Sequence, residues 1–456
     1  MAAVGEALAS PSFNIDRYLA ALRQAPDWEQ VGSVTRVIGL TVEASGLRAS
    51  IGDTCLIEAD RMDCAGQGCR EDVPAEVVGF RDGRILMMPL GELAGIAPGA
   101  RVIATGRSLG VSVGPGLVGR VLNALGEPID GLGSLAVHVT RPVHGRAPDP
   151  MERQLIAAPL EVGVKAIDGL VTCGKGQRLA IMAGSGVGKS ILLGMMARHT
   201  AADVNCIALV GERGREVREF LERDLGPEGL ARSVVVVATA DEPPLLRIRG
   251  ALVATAIAEY FRNQGQDVLL MMDSLTRFAM AQREVGLAVG EPPTSRGYTP
   301  SVFSLLPKLL ERTGPGKIGT ITGFYTVLVE GDDLTEPIAD AVRSIVDGHL
   351  VLSRTLAERN HYPAIDVLAS VSRVMNQVTS HEHRVAAGKI RDLLATFRDA
   401  EDLVNVGAYK AGSNPRIDRA LASIDSINAF LCQDRNESSP WADTMHSLRA
   451  LTAGDA

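Results

Sequence analysis

The sequence predicts an α/β fold, in which a small antiparallel barrel precedes a parallel sheet covered by helices and a helical region follows it. Residues 30–98 contain short β-branched segments separated by Gly and Asp turns, which is typical of a small barrel or sandwich. From about residue 150, apolar segments of strand length alternate with helical segments, which indicates a parallel sheet buried on both faces. From about residue 379 the pattern is helical and polar.

These changes of pattern divide the 456 residues into four parts. We expect an N-terminal helical segment over 1–29, a β-barrel domain over 30–98, the α/β domain over 99–378 and a C-terminal helical domain over 379–456. In the first part, residues 12–23 carry apolar side chains at helical spacing. This helix would either pack on its own domain or dock to a partner or membrane surface, and the sequence favours neither.

Composition narrows the classes of function. The net charge of −8 and the aromatic content of 4% argue against a protein whose main role is to bind nucleic acid. No apolar segment approaches the length of a membrane span, and the N-terminus lacks the basic start and apolar core of a secretory signal. Six cysteines without paired spacing predict free or buried thiols in a cytoplasmic chain.

Residues 183–190, AGSGVGKS, predict a phosphate-binding loop, called the phosphate loop below. They follow the strand RLAIMA and precede the helix ILLGMMARH, which is the context that this motif needs. Its glycines let the backbone approach phosphate closely, and the N-terminus of the helix favours an anion. Ala183 replaces the usual first glycine, but a methyl group at a strand end is a small change. The predicted nucleotide-binding residues are Gly184, Ser185, Gly186, Val187, Gly188, Lys189 and Ser190.

Hydrolysis needs more than this loop. Lys189 would contact the β and γ phosphates, and Ser190 would supply a hydroxyl to Mg²⁺. Asp273 ends the apolar segment DVLLMMD and would be the metal carboxylate, although it could instead cap the next helix. Glu212 follows the segment CIALVG, where it could orient or deprotonate water at the carboxyl end of a parallel strand. Alternatively, Glu212 is a surface acid paired with a nearby arginine.

Several segments, in this order, resemble motifs of the rotary ATP synthase α and β subunits. They extend over most of the chain: GRVLNALGEPIDG (119–131), the phosphate loop, GERGRE (211–216), MDSLTRF (272–278) and PAIDVLASVS (363–372). Within this superfamily, GERGREVREF, YTVLVEGDD and NHYPAID are similar to the ATPases of type III protein export. AGSGVGKSILLGMMAR and NVGAYKAGSNPRID are more similar to the flagellar export ATPase than to its injectisome relative.

The resemblance implies a RecA-like P-loop ATPase core and assigns roles to single residues. Glu212 matches the catalytic glutamate of the hydrolysing subunits, where non-hydrolysing α subunits carry Gln. Arg213 and Arg277 match charged groups near the γ-phosphate. Arg373 matches the arginine finger that reaches the neighbouring subunit's site, and Tyr362 matches the aromatic residue that stacks on adenine. Without the family pattern, Arg373 would be taken for a surface cation and Tyr362 for a half-buried ring.

One chain holds both the catalytic glutamate and the finger, which implies a homo-oligomeric ring, expected to be a hexamer. The resemblance implies ATP hydrolysis with Mg²⁺ that energises export of flagellar proteins. It also implies a stator-like regulator, a coiled-coil stalk protein, chaperone–substrate complexes and a membrane export gate, so that the cytoplasmic protein is peripheral to the inner face of the membrane. The Pro- and Gly-rich loop at 291–303 would contact the stalk, or else be a rigid surface loop.

Alternative functions stay open at this point. The main one is the ATPase of a virulence-type injectisome. An RNA-translocating hexamer is disfavoured because residues 30–98 contain Phe80 as the sole Phe or Tyr, whereas such proteins need a basic, aromatic RNA surface. A non-catalytic nucleotide-binding regulator is disfavoured by Glu212, and a proton-driven synthase subunit by the presence of Glu212 and Arg373 in one chain.

Overall fold

The computed structural model describes residues 30–62, 68–137, 139–329 and 333–452. The helix predicted over residues 12–23 lies outside them. Within the described ranges, no helix combines the length and the apolar character that a membrane crossing requires.

The first domain is a closed six-stranded barrel with the strand order β1-β2-β5-β4-β3-β6. Its strands are β1 (Gln30–Ile38), β2 (Thr41–Ser45), β3 (Asp53–Met62), β4 (Gly68–Arg81), β5 (Arg84–Pro89) and β6 (Arg101–Ser108). The barrel forms because alternate side chains such as Val34, Ile57 and Met87 point inward and form a small core. Asp82 and Gly83 both have positive φ, as a tight turn between two antiparallel strands requires.

The barrel extends past residue 98, the limit that we predict from the sequence. β6 pairs with β1 on one side, where Ala104 lies opposite Gln30, and with β3 on the other, where it lies opposite Cys55. β6 therefore closes the barrel and belongs to it. Beyond it, β7 (Gly110–Val113) pairs with β9 (Val139–Pro142), while β8 (Val121–Asn123) joins the edge of the large sheet.

The large sheet of the second domain has the strand order β17-β16-β10-β15-β13-β11-β12-β8. Its further strands are β10 (Arg178–Ala183), β11 (Val204–Glu212), β12 (Ser233–Thr239), β13 (Asp267–Asp273), β14 (Gly314–Pro315), β15 (Thr320–Leu328), β16 (Gly348–Leu352) and β17 (Ile365–Ser372). Neighbouring strands from β8 to β16 are parallel, whereas β17 is antiparallel to β16 and the short β14 is antiparallel to β15. The predicted parallel α/β core is confirmed.

Helices cover both faces of this sheet and bury two apolar cores. They are α1 (Lys165–Leu170), α2 (Lys189–His199), α3 (Gly214–Glu219), α4 (Gly226–Ala231), α5 (Pro244–Asn263), α6 (Leu275–Val289), α7 (Pro300–Leu310), α8 (Pro337–Ile345), α9 (Arg354–Glu358) and α10 (Met375–Val378). Because both faces are covered, the central strands are apolar throughout, as in the Val234–Ala238 segment of β12.

The C-terminal region is helical, as predicted, and packs on one of these cores. It consists of α11 (His381–Asn405), α12 (Pro415–Leu431) and α13 (Trp441–Thr452). His383 lies 2.7 Å from the carbonyl oxygen of Gly169, and the buried Gln433 amide donates to the carbonyl oxygen of Gly163. These contacts attach the helical region to the segment that precedes β10.

A buried ion pair stabilises the second domain. Arg312 and Glu259 are 3% and 7% exposed, and two hydrogen bonds of 2.8 and 2.9 Å join them. The Glu259→Ala variant would leave the Arg312 guanidinium buried without its counter-charge, which costs about 3–5 kcal/mol. We therefore expect the melting temperature to fall by at least ~6 °C.

The control for this prediction is Asp392→Ala, which removes a 2.8 Å ion pair with Arg416 whose two side chains are both 63% exposed. Exposed pairs contribute about 0–1 kcal/mol, so this melting temperature should barely change. Similar shifts in the two variants, measured by circular dichroism, would contradict the prediction.

Candidate functional site

The candidate site lies where the parallel strands end. β10, β11, β13 and β15 are neighbours and run in one direction, so their carboxyl ends meet at one edge of the sheet. In open α/β sheets, ligands bind at this edge. The residues that follow β10 form the phosphate loop, and the other three strand ends supply polar side chains beside it.

The phosphate loop has the backbone that the sequence predicts. Gly186 and Gly188 have φ values of 77° and 88°, which a residue with a side chain rarely adopts. A Cβ atom on Gly188 would lie 3.5 Å from the ring of Tyr362, which therefore packs against the loop. Val187 is buried and anchors the loop, whereas Ser185 is exposed. The helix α2 begins at Lys189, so its first N–H groups point towards the loop.

Lys189, Asp273 and Glu212 form a charged cluster beside the loop. The Lys189 Nζ atom lies 2.5 Å from Asp273 Oδ1 and 3.4 Å from Glu212 Oε1. Burial lowers the pKa of Lys189, but the two carboxylates outweigh burial and leave that pKa raised, so Lys189 keeps its charge. The structure thus brings together the predicted phosphate-binding lysine, metal carboxylate and catalytic glutamate.

Thr326 holds Asp273 in place, and our reading of the sequence missed it. Asp273 is 3% exposed, and its Oδ1 atom accepts a 2.7 Å hydrogen bond from the hydroxyl of Thr326 in β15. In the sequence, Thr326 is marked merely as a polar residue within the apolar segment FYTVL. That pattern is too weak to assign it a role. Because this oxygen also accepts from Lys189, the carboxylate is fixed in orientation.

Glu212 has the electrostatic character of a base. Burial raises the pKa of Glu212 to about 7, and the nearby Asp273 charge contributes to the rise, while Lys189 opposes it. Glu216 in α3, a second residue that we missed, hydrogen-bonds to Glu212 and raises this pKa further. A carboxylate with a pKa near neutrality is well matched to accept a proton from water.

Arg277 lies next to this cluster. It occupies the first turn of α6, directly after the Ser274 cap, and its side chain packs against Gly211, where an added Cβ atom would come within 2.7 Å of it. Its Nε atom is buried and has no hydrogen-bond partner among the described residues. A buried, unsatisfied donor close to Gly211, the residue before Glu212, is consistent with the predicted contact to a γ-phosphate.

Two predicted cations lie outside the cluster. The Arg213 side chain is 75% exposed and pairs with Glu216 at 2.9 Å, so its predicted place near the γ-phosphate stays a prediction. Arg373 directly follows β17 and is exposed. Since β17 is antiparallel to its neighbour, Arg373 lies at the opposite edge of the sheet from the phosphate loop.

Comparisons with known proteins show the family to which this chain belongs. The ATP synthase alpha/beta family matches with its nucleotide-binding domain over residues 163–372 and with its beta-barrel domain over 34–106. The T3SS EscN ATPase C-terminal domain matches over 379–450. The flagellum-specific ATP synthase of Bacillus subtilis is 54% identical over 436 residues, which are 95% of this chain and 98% of that protein. The chain belongs to the family of flagellum-specific and type III secretion ATPases.

Members of both branches of this ATPase family are similar to the chain. The type 3 secretion system ATPase of Xanthomonas euvesicatoria is 52% identical and covers 96% of this chain and 97% of its own length. Among solved structures, the assembled ATPase EscN of enteropathogenic E. coli has a TM-score of 0.84 and 43% identity, covering 92% of this chain and 99% of that one. The chain is therefore an ATPase, and the fold predicted from its sequence is confirmed.

The donor set of this ATPase fits Mg²⁺ bound together with a nucleotide. The described residues contain no cluster of three or more His, Cys, Asp or Glu side chains that could hold a metal alone. Mg²⁺ typically takes one or two protein oxygens and completes its shell with phosphate oxygens and water. Asp273 and Ser190, at the strand end and in the loop, are donors of this kind.

The raised pKa of Glu212 predicts a pH dependence. As the predicted base, Glu212 must be deprotonated, so kcat/KM for ATP should fall about tenfold per pH unit as the pH drops below about 7. In Glu216→Gln, a negative neighbour is lost, the pKa of Glu212 falls, and this acid limb should move to lower pH. The protonation of ATP itself is the same with both proteins. The shift of the acid limb between the unmodified protein and Glu216→Gln therefore reports on the pKa of Glu212.

Glu219→Gln is the matched control, because Glu219 lies on the same helix but pairs with Arg215 at 2.7 Å. Its profile of kcat/KM against pH should coincide with that of the unmodified protein. A profile of Glu216→Gln that also coincides would show that Glu212 does not set the acid limb.

Proposed function

We propose that this ATPase hydrolyses ATP at the subunit interfaces of a homo-hexameric ring and thereby energises export of flagellar proteins through a type III secretion apparatus. The observation that carries the proposal is the separation of Glu212 and Arg373 at opposite edges of one sheet. A chain built in this way holds both halves of a catalytic site but cannot combine them by itself.

The strand register gives the size of this separation. Ser372 lies opposite Gly348 at the beginning of β16, whereas Leu352 at the end of β16 lies beside Ala183, which precedes the phosphate loop. Four residues of strand separate these levels, which is about 13 Å along the sheet. This distance exceeds the span of an arginine side chain. This separation supports the proposal that Arg373 serves a site in a neighbouring subunit.

Relatives support a ring. EscN has been solved as the assembled ATPase and as that ATPase in complex with its central stalk EscO. By analogy, we propose that a coiled-coil stalk protein contacts the loop at 291–303. In this loop Arg296 pairs with Glu336 at 2.9 Å and with Asp333 at 3.2 Å.

The charged cluster performs the chemistry in this proposal. Ser190 and Asp273 would hold Mg²⁺, which when bound offsets negative charge on the β and γ phosphates. Glu212 orients the attacking water and accepts its proton. Lys189 and Arg277, together with Arg373 of the neighbour, stabilise the charge that develops as the bond between the β and γ phosphates breaks. Tyr362, which packs on the phosphate loop, stacks on adenine, and Arg213 approaches the γ-phosphate from the surface.

The flagellar branch is favoured by local sequence, since AGSGVGKSILLGMMAR and NVGAYKAGSNPRID resemble the flagellar export ATPases. We further propose a stator-like regulator, chaperone–substrate complexes and the membrane export gate as partners, with the protein at the cytoplasmic face of the membrane. The injectisome is the alternative, because relatives from both systems exceed 50% identity.

Catalysis in trans predicts complementation between two inactive variants. Arg373→Ala should bind ATP but hydrolyse it at least about a thousandfold more slowly. Glu212→Gln should be inactive because it lacks the base. In rings mixed at equal amounts, about a quarter of the interfaces combine an intact Glu212 with a neighbour's Arg373, so that fraction of the activity should return. Mixtures that stay as inactive as the separate variants would contradict the ring-interface site.

A secretion assay distinguishes the two export systems. A strain with Glu212→Gln in the chromosomal gene should fail to release hook and filament proteins into the culture medium, because the ATPase still assembles but does not hydrolyse ATP. Injectisome effectors, measured in the same medium, serve as the control and should be unaffected. Loss of effectors with intact flagella would assign the protein to the injectisome.

A further inference from the structure

The side chain of Arg373 does little to hold this residue in position. The guanidinium is exposed, and its Nη2 atom donates a 3.4 Å hydrogen bond to the carbonyl oxygen of Arg343. The position of Arg373 therefore depends on how its backbone is held. An arginine that completes a neighbour's site must keep within about 0.5 Å of its productive position.

The backbone of Arg373 is bound to Asp347, in the turn between α8 and β16. The Arg373 N–H donates to the carbonyl oxygen of Asp347 at 2.9 Å. The buried Gln177 amide donates to the same oxygen at 3.1 Å, and at 3.1 Å to the hydroxyl of Ser372. The hydroxyl of Ser372 in turn donates to the carbonyl oxygen of Thr172. The end of β17 is thus attached to the Asp347 turn.

The carboxylate of Asp347 fixes this turn to β10, which lies in the interior of the sheet. Asp347 Oδ2 accepts from the backbone N–H and from Nε of Arg178, both at 3.0 Å, and Oδ1 accepts from Nη2 at 3.2 Å. The Asp347 N–H donates to the carbonyl oxygen of Arg178 at 2.9 Å. Charge-assisted bonds to two carboxylate oxygens specify orientation as well as position.

Arg178 has a second acidic partner that provides a comparison. Its Nη1 atom lies 2.5 Å from Glu311 Oε1, and Glu311 also pairs with Arg153 at 3.0 Å. Among the described residues, the Glu311 carboxylate accepts from Arg153 and Arg178, neither of which lies in the turn that holds Arg373. Asp347 and Glu311 therefore both bind the Arg178 guanidinium, but Asp347 also contacts Arg373, whereas Glu311 does not.

We propose that Asp347 is a positioning residue of the ATPase reaction, which holds Arg373 in the geometry that the neighbouring subunit's site requires. The proposal rests on the proposed function, because it assumes that Arg373 acts in trans. Asp347 touches neither ATP nor the reacting water. Asp347 stabilises the sheet of its own subunit, but its functional effect is on the catalytic site of the neighbouring subunit.

The first test is a comparison of Asp347→Asn with Glu311→Gln in the full chain. Asn lacks the second acceptor oxygen and the charge of Asp, so the turn should loosen and Arg373 should shift. Small displacements of catalytic groups lower the rate strongly, so kcat should fall about 10- to 100-fold. KM for ATP should change less than about twofold, because the chain's own nucleotide site is intact. Glu311→Gln should keep kcat within about twofold. Equal losses in both variants would overturn the proposal and reduce the network to structural support for Arg178.

The second test assigns the defect to a subunit. Mixed with Glu212→Gln chains, the Asp347→Asn protein should regain activity, since the Glu212→Gln neighbours supply a correctly held Arg373. Mixed with Arg373→Ala chains, it should show the average of the two separate activities, because neither chain presents a working arginine. Suppose that Glu212→Gln chains restore activity to Arg373→Ala but not to Asp347→Asn. That result would overturn the proposed role of Asp347 and leave catalysis in trans intact.

Failure of the Arg373→Ala and Glu212→Gln mixture would instead contradict catalysis in trans, and the two failures are therefore distinguishable. Should Asp347→Asn not fold, as judged from its melting temperature, Asp347→Glu provides the same test. It keeps the charge but displaces the carboxylate by one methylene group, so it should show the same loss of kcat and the same pattern of rescue. Full activity in Asp347→Glu would overturn the proposal.

Discussion

The direction of the strands in the large sheet is the constraint on which the rest of the site depends. Parallel strands carry the phosphate loop, Asp273 and Glu212 to one edge, whereas the antiparallel β17 carries Arg373 to the other. This single reversal separates Glu212 and Arg373 within one chain. In the function that we propose, assembly of identical subunits around a closed axis repeats one heterologous contact, so that each chain completes its neighbour. On that proposal, the α/β domain is an enzyme that needs its ring.

Electrostatics at the first edge prepare the chain for hydrolysis. Two carboxylates, on Asp273 and Glu212, lie close together with one lysine between them. Thr326 and Lys189 fix the orientation of Asp273 at its strand end, while burial, together with the charge of Asp273, raises the pKa of Glu212. The same arrangement is consistent with the different roles that we propose for the two acids, one with a metal ion and the other with a proton.

Much of this could be predicted because it depends on local signals. The phosphate loop and Asp273 follow apolar strands directly, so position along the chain identifies them. The end of the barrel was misplaced because β6 belongs to it through pairing with distant strands, which short segments do not reveal. Thr326 and Glu216 make single side-chain contacts without a spacing pattern. Asp347 contacts Arg373 through its backbone carbonyl oxygen and Arg178 through its carboxylate, and no spacing pattern reveals these contacts either. The exposed Arg213 shows that a family motif fixes a residue's place in the chain but not the direction of its side chain.

The central claim is that each active site is shared by two copies of the chain. The most direct measurement is the structure of assembled Glu212→Gln protein with Mg²⁺ and ATP, determined by electron cryomicroscopy, because this variant retains the nucleotide without hydrolysing it. Our account predicts that the Arg373 guanidinium of one subunit lies within hydrogen-bond distance of the γ-phosphate bound by the phosphate loop of the next. An assembly in which Arg373 faces solvent, or approaches the nucleotide of its own chain, would contradict it.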